Sequence, residues 1–66
     1  MSAADRIKQA RETTGTSQED LAHLIGVSVF TVSRYERGFP ISATRLAQIA
    51  QALGVLADTL VDEDAS

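Results

Sequence analysis

Cysteine and tryptophan are absent from this 66-residue chain, and proline and histidine occur once each. Without cysteine there is no disulfide framework and no thiolate metal site. A lone histidine, His23, does not make a His-based metal site within one chain. Aromatics are few: Phe30, Tyr35 and Phe39. Long hydrophobic runs are missing too. The longest, Val55-Leu56-Ala57, falls far short of the roughly 20 apolar residues of a membrane span. The first residues, Met1-Ser2-Ala3-Ala4-Asp5, have no basic flank followed by an apolar block and so do not form a signal peptide. A cytoplasmic, membrane-free protein is expected. Basic residues are also scarce: six Lys and Arg stand against nine Asp and Glu, a net charge of −3. The usual electrostatic signature of nucleic-acid binding is a basic excess, so this balance at first argues against it. The acidity is unevenly placed, however. Residues 1–57 hold all six basic groups and five acidic ones, while Asp58, Asp62, Glu63 and Asp64 sit at the end.

Apolar residues make up 44% of the chain, a normal content for a folded domain. The length allows one small domain over 1–66, with a folded region of about residues 5–61 and an acidic tail at 62–66. A core this small leaves a folding margin close to zero unless tight helix packing, self-association or a partner adds to it. Gly15, Gly26, Gly38, Pro40 and Gly54 divide the chain into short segments, and apolar residues recur between them at helical spacing. Ile7, Ala10, Arg11 and Thr14 mark a first helix that stops at Gly15. Ser17-x-x-Asp20 is a capping-box-like start for a second, with Leu21, Leu24 and Ile25 inward beside the small Ala22. Ser28 caps a third that runs to Arg37, and Ser42 a fourth with Leu46, Ile49, Ala50 and Leu53 on one face. A fifth short helix is predicted from about Ala57 to Val61, with a weak start because Leu56 stands where a capping residue would help. The fold class is therefore all-α, with five short helices and no alternating strand pattern.

The connection between helices two and three is the informative part. A three- to four-residue turn containing glycine sets two helices at about 90–120°. Gly26 suits such a turn, Ala22 suits a close crossing, and Val27 is placed to fill the gap between the helices. The residues Ser17-Gln18-Glu19-Asp20-Leu21-Ala22, Ile25-Gly26-Val27-Ser28 and Thr31-Val32-Ser33-Arg34-Tyr35-Glu36-Arg37-Gly38 resemble the helix-turn-helix of the Cro/C1 family, found in phage repressors and small bacterial regulators. The likeness extends back through Ile7 to Gly15 and on through Leu46 to Val55, covering about residues 5–61. It implies a lambda-repressor-like DNA-binding domain whose helices 2 and 3 form the helix-turn-helix. Thr16 departs from the large apolar residue common in the family, and the apolar Phe39-Pro40-Ile41 departs from the basic residues often found there.

On a helical wheel the third helix divides cleanly, at about 100° per residue. Val32, Tyr35 and Glu36 fall on one side; Phe30, Ser33, Arg34 and Arg37 fall on the other. Major-groove reading needs donors for guanine and apolar contacts for the thymine methyl. Arg34 supplies the first, and Val29, Phe30 and the methyl of Thr31 suit the second. The resemblance implies base contacts at Val29, Phe30, Thr31 and Arg34, to which the wheel adds Ser33. It implies a phosphate-contacting and bracing role for Gln18, and Arg37 and Ser42 are further phosphate candidates. It also implies a partly buried salt bridge between Arg11 and Glu36 that orients the recognition helix. An outward arginine is ordinarily a solvated surface residue; the motif favours base contact for Arg34. For Phe30, base contact, anchoring of a protein partner and folding back onto the domain all stand.

No nucleophile is paired with a base and no Gly-rich phosphate loop is present, so no enzymatic activity, cofactor, metal or small-molecule ligand is expected. The reading is a sequence-specific transcriptional regulator, a repressor, that binds a palindromic operator in duplex DNA as a homodimer. Val55, Leu56, Leu60 and Val61 are the apolar candidates for the dimer contact. Met1 and the polar tail favour the expectation of a complete small protein over that of a DNA-binding domain of a longer regulator. The competing reading is a protein-interaction module of antitoxin or adaptor type. The acidic tail, the apolar loop and Phe30 suit it, whereas Gln18, Arg34 and Arg37 together have no purpose there.

Overall fold

The computed structural model describes residues 2–60. It contains four α-helices, α1 (Ala3–Thr13), α2 (Gln18–Ile25), α3 (Val29–Glu36) and α4 (Ala43–Leu53), and a 3-10 turn at Ala57–Leu60. No strand occurs among the described residues. The all-α class and the order of the elements are as expected. The fifth element differs: it is a single 3-10 turn in which Thr59 returns both its backbone N–H (3.0 Å) and its hydroxyl (2.6 Å) to the Leu56 carbonyl. Four residues without an N-cap are too few to propagate an α-helix. Val61 and the acidic tail at 62–66 lie outside the described residues.

Each α-helix begins after a serine in extended conformation. The hydroxyls of Ser2, Ser17, Ser28 and Ser42 accept the N–H of Asp5, Asp20, Thr31 and Arg45 at 3.2, 2.9, 3.2 and 3.1 Å. Each cap satisfies one of the backbone donors that a helix start leaves open. Ser2 was not anticipated, although Ser2-x-x-Asp5 repeats the Ser17-x-x-Asp20 spacing. It carries α1 back to Ala3. At the other end of the turn region, Gly26 takes φ +74°, and the Val27 N–H reaches back to the Ala22 carbonyl at 3.0 Å. That left-handed residue lets α3 depart within three residues of the end of α2. Helix α3 ends at Glu36, one residue earlier than the sequence suggests, with Arg37 as its cap.

Every element contributes one wholly enclosed side chain to a common core: Ile7, Leu21, Val32, Ile49 and Leu60. Ala4, Ala22, Ala50 and Leu53 are also buried, and Ile25, Val27, Tyr35, Leu46 and Val55 pack against the cluster half-buried. Two sequence expectations need correction. Leu24, assigned to the inward face of α2, is 59% exposed. The buried arc of α2 is centred between Leu21 and Ala22, because Ala22 admits the close crossing, and this turns Leu24 out to the rim of a shallow groove with Ile25, Gln48, Gln51 and Ala52. Leu60, a candidate for the dimer contact, is instead fully enclosed by its own chain. No helix among the described residues is long and apolar enough to cross a membrane.

Candidate nucleic-acid interface

Helix α3 lies on the core through Val32 and holds its opposite side to solvent. Phe30 is 66% exposed and Val29 43%; Arg34 and Arg37 are exposed, and Thr31 and Ser33 are half-buried. The N-terminal turn is tightened by a second contact, in which the hydroxyls of Ser28 and Thr31 lie 3.1 Å apart. The Thr31 hydroxyl is thus held at the cap.

The back of α3 is held by a polar cluster. Glu36 accepts the Nε–H of Arg11 at 2.7 Å on Oε2 and the Nη2–H of Arg11 at 3.1 Å on Oε1. Its Oε1 also accepts the side-chain amide of Gln18 at 3.1 Å. Arg11 uses its third nitrogen, Nη1, to donate to the Thr16 carbonyl at 3.0 Å. Only 12% of the Arg11 side chain and 5% of the Glu36 side chain remain exposed. Paired, two-pronged geometry of this kind fixes direction as well as position. The hydrogen bonds that Arg11 donates to Glu36 hold its guanidinium above its usual pKa, against the opposing effect of burial. One carboxylate thus ties α3 to both α1 and the first residue of α2. The Gln18 amide turns one N–H inward to Glu36 while the residue stays half-buried, and its backbone N–H lies at the open end of α2.

The side chains of Arg34 and Arg37 form no hydrogen bond or ion pair with any described residue. Both guanidinium groups instead lie over the ring of Phe39, at 4.8 and 5.5 Å from its centroid. Sequence reasoning missed this contact; the signal was an aromatic directly after the Arg37-Gly38 stop. It also missed Arg45, whose Nη1 donates to the Ile25 carbonyl at 3.1 Å and so joins α4 to the end of α2. Ser42 is exposed, with its hydroxyl at the α4 cap, and His23 is exposed. Val55 is half-buried against the core, whereas Leu56 is 76% exposed. Among the described residues no three of His, Asp and Glu come together as a metal site would require.

The Helix-turn-helix family model matches residues 7–60. Among curated proteins, the chain is 48% identical over 54 residues to an uncharacterized transcriptional regulator in the ATPase CF(0) region of Rhodospirillum rubrum, covering 80% of this chain and 50% of that protein. It is 37% identical over 59 residues to a putative HTH-type transcriptional regulatory protein of Archaeoglobus fulgidus, covering 89% of this chain and 19% of the other. The chain therefore spans about half and about a fifth of these relatives' lengths. Among solved structures, the DNA-binding domain of the P22 C2 repressor superposes with a TM-score of 0.83 at 28% identity, over 100% of this chain and 88% of that one. Hydroxypropylphosphonic acid epoxidase from S. wedmorenis, in complex with fosfomycin, also matches, with a TM-score of 0.83 at 31% identity. That match covers 89% of this chain but only 32% of the epoxidase.

Proposed function

The chain belongs to the helix-turn-helix family of Cro/C1-type regulators, and on that premise we propose that it represses transcription as a homodimer on a palindromic operator, with α3 in the major groove. The observation that carries this reading is the pair Arg34 and Arg37. They stand on the solvent side of a helix whose other side is anchored by Val32 and Glu36, and their N–H edges have no acceptor among the described residues. In this reading Arg34 gives two parallel N–H bonds to guanine O6 and N7, an interaction of about 1–3 kcal/mol in base discrimination. Val29, Phe30 and the Thr31 methyl offer apolar surface for thymine methyls, and Ser33 lies on the flank of the same face. Phosphates are met by the open backbone N–H groups at the start of α2, by Arg37 and by Ser42. Glu36 does not oppose them, because its charge is compensated by Arg11. The partial similarity to an epoxidase supports no catalytic reading for this chain, since it extends over only a third of that enzyme.

Dimerisation follows from size. Eight residues of helix extend about 12 Å, enough for three or four base pairs. Two copies would set their recognition helices about 34 Å apart, one helical turn of DNA. Leu56, with Val55 beside it, supplies the exposed apolar surface for that contact.

Selection of binding sites from a random duplex pool tests the proposal. The expected product is an inverted repeat with half-sites about one turn apart. Arg34→Ala should relax preference at one base in each half-site. Enrichment of no sequence would overturn the proposal and leave exposed Phe30 as the anchor of a protein partner.

A further inference from the structure

We propose that Phe39 is a positioning residue for base reading: its ring holds the guanidinium of Arg34, and with it that of Arg37, in the orientation in which α3 meets DNA. The inference rests on the DNA-binding reading given above and extends it to a residue outside the recognition helix. Four observations carry it. The guanidinium carbons of Arg34 and Arg37 lie 4.8 and 5.5 Å from the ring centroid, within the range of a cation–π contact. The Phe39 backbone is fixed to the same helix, since its N–H donates to the Arg34 carbonyl at 3.2 Å. Gly38, at φ +100°, turns the chain sharply enough to bring the ring back beside the last turn of α3. Pro40 and the half-buried Ile41, which packs against the core, hold the loop on its other side.

The chemistry of the contact fits reading rather than sequestration. A ring face engages the flat side of a guanidinium and leaves the N–H edge open, and the edge is what guanine O6 and N7 require. A salt bridge would have occupied that edge. Arg34 and Arg37 are like charges three residues apart on one helix face and repel each other. A ring shared between them offsets the repulsion and restricts two long side chains that would otherwise sample many rotamers. Such restriction before binding lowers the ordering cost at the interface. The apolar loop that departs from the basic loop common in the family thus acquires a role: it acts on the helix's own cations rather than on phosphate.

The test compares Phe39→Ala, Phe39→Leu and Phe39→Tyr with wild type on the selected operator and on variants at each base. Phe39→Ala and Phe39→Leu should lose about two- to fivefold in preference at the base read by Arg34, the scale of an exposed cation–π contact. Phe39→Tyr, which keeps the ring face, should restore it. In the free protein, the side-chain protons of Arg34 and Arg37 should show ring-current shifts that vanish in Phe39→Leu. Thermal unfolding of each variant separates this effect from loss of the fold. The inference is overturned if Phe39→Leu reads as well as wild type, since the loop would then need only apolar bulk. It is equally overturned if Phe39→Ala binds more tightly with preference intact, since the ring would then be withholding the arginines. If wild type itself prefers no sequence, the DNA-binding reading falls first, a result visible before any variant is made.

Discussion

Glu36 is the residue on which the orientation of α3 turns. Its carboxylate accepts two N–H groups from Arg11 and one from Gln18 while nearly enclosed. A buried pair of this kind adds little net stability over an apolar replacement, but removing one partner strands the other. Glu36→Ala should therefore cost about 3 kcal/mol in urea unfolding, whereas the double change Arg11→Met with Glu36→Leu should cost clearly less than the sum of the two single changes. The pH dependence has a definite sign. Arg11 has its pKa raised in the folded state, so its protonation contributes stability that is complete below its unfolded pKa and is lost only above it. An arginine loses its proton only far into the alkaline range. The stability difference between wild type and Arg11→Met should therefore stay flat from about pH 7 to about pH 10 in denaturant titrations.

At the scale of the element, α2 and α3 are too short to persist alone. Helices under about 12 residues are marginal in water, and each of these has eight. They form because a serine closes each start and because the core takes Leu21 and Val32 from their inner faces. Ser28→Ala should cost about 1 kcal/mol. Gly26→Ala should cost about 1–2 kcal/mol, since alanine resists the left-handed conformation at that position even though its Cβ would meet open space. The two leucines of α2 should separate sharply in thermal or urea unfolding. Leu21→Ala leaves a cavity and should cost about 2–5 kcal/mol, while Leu24→Ser, on the exposed rim, should change stability by less than about 0.5 kcal/mol.

At the scale of the molecule, charge and size decide how binding must work. Residues 2–60 carry six basic and six acidic side chains, so there is no broad positive field to draw DNA in. On the homodimer proposed above, affinity would then depend on a few placed cations, on base contacts and on two copies acting together. With about four to six phosphate contacts per dimer, the log–log slope of affinity against salt should be roughly −4 to −5. The longest dimension, 31 Å, is less than one turn of DNA, so one copy would not reach both half-sites of the proposed operator. Leu56→Glu should weaken self-association in sedimentation equilibrium and operator affinity together, with unfolding of the monomer little changed. Leu60→Ala should do the reverse and destabilise the monomer by about 2–5 kcal/mol.

Much of this protein was legible in the linear chain because the relevant signals are local. Ser17, Ser28 and Ser42 mark helix starts, glycines mark stops, and the 3.6-residue period places Val32 inward and Arg34 outward. The all-α class, the order of elements and the helix-turn-helix all follow from interactions within a few residues. What the tertiary structure alone decided depends on groups distant in sequence or on rotation about a helix axis. A spacing of i, i+3, i+4 does not say which edge of the apolar arc meets the neighbour, so Leu24 was placed inside when the Ala22 crossing turns it out. Apolar character does not distinguish a core residue from an interface residue, and only the packing of the 3-10 turn encloses Leu60 while leaving Leu56 bare. The meeting of Gln18 with Glu36, of Arg45 with the Ile25 carbonyl, and of Phe39 with two arginines needed the chain's path in space. Hydrogen bonds and ring contacts are short-range, and no periodicity along the chain reports which residues the turns will bring within their reach.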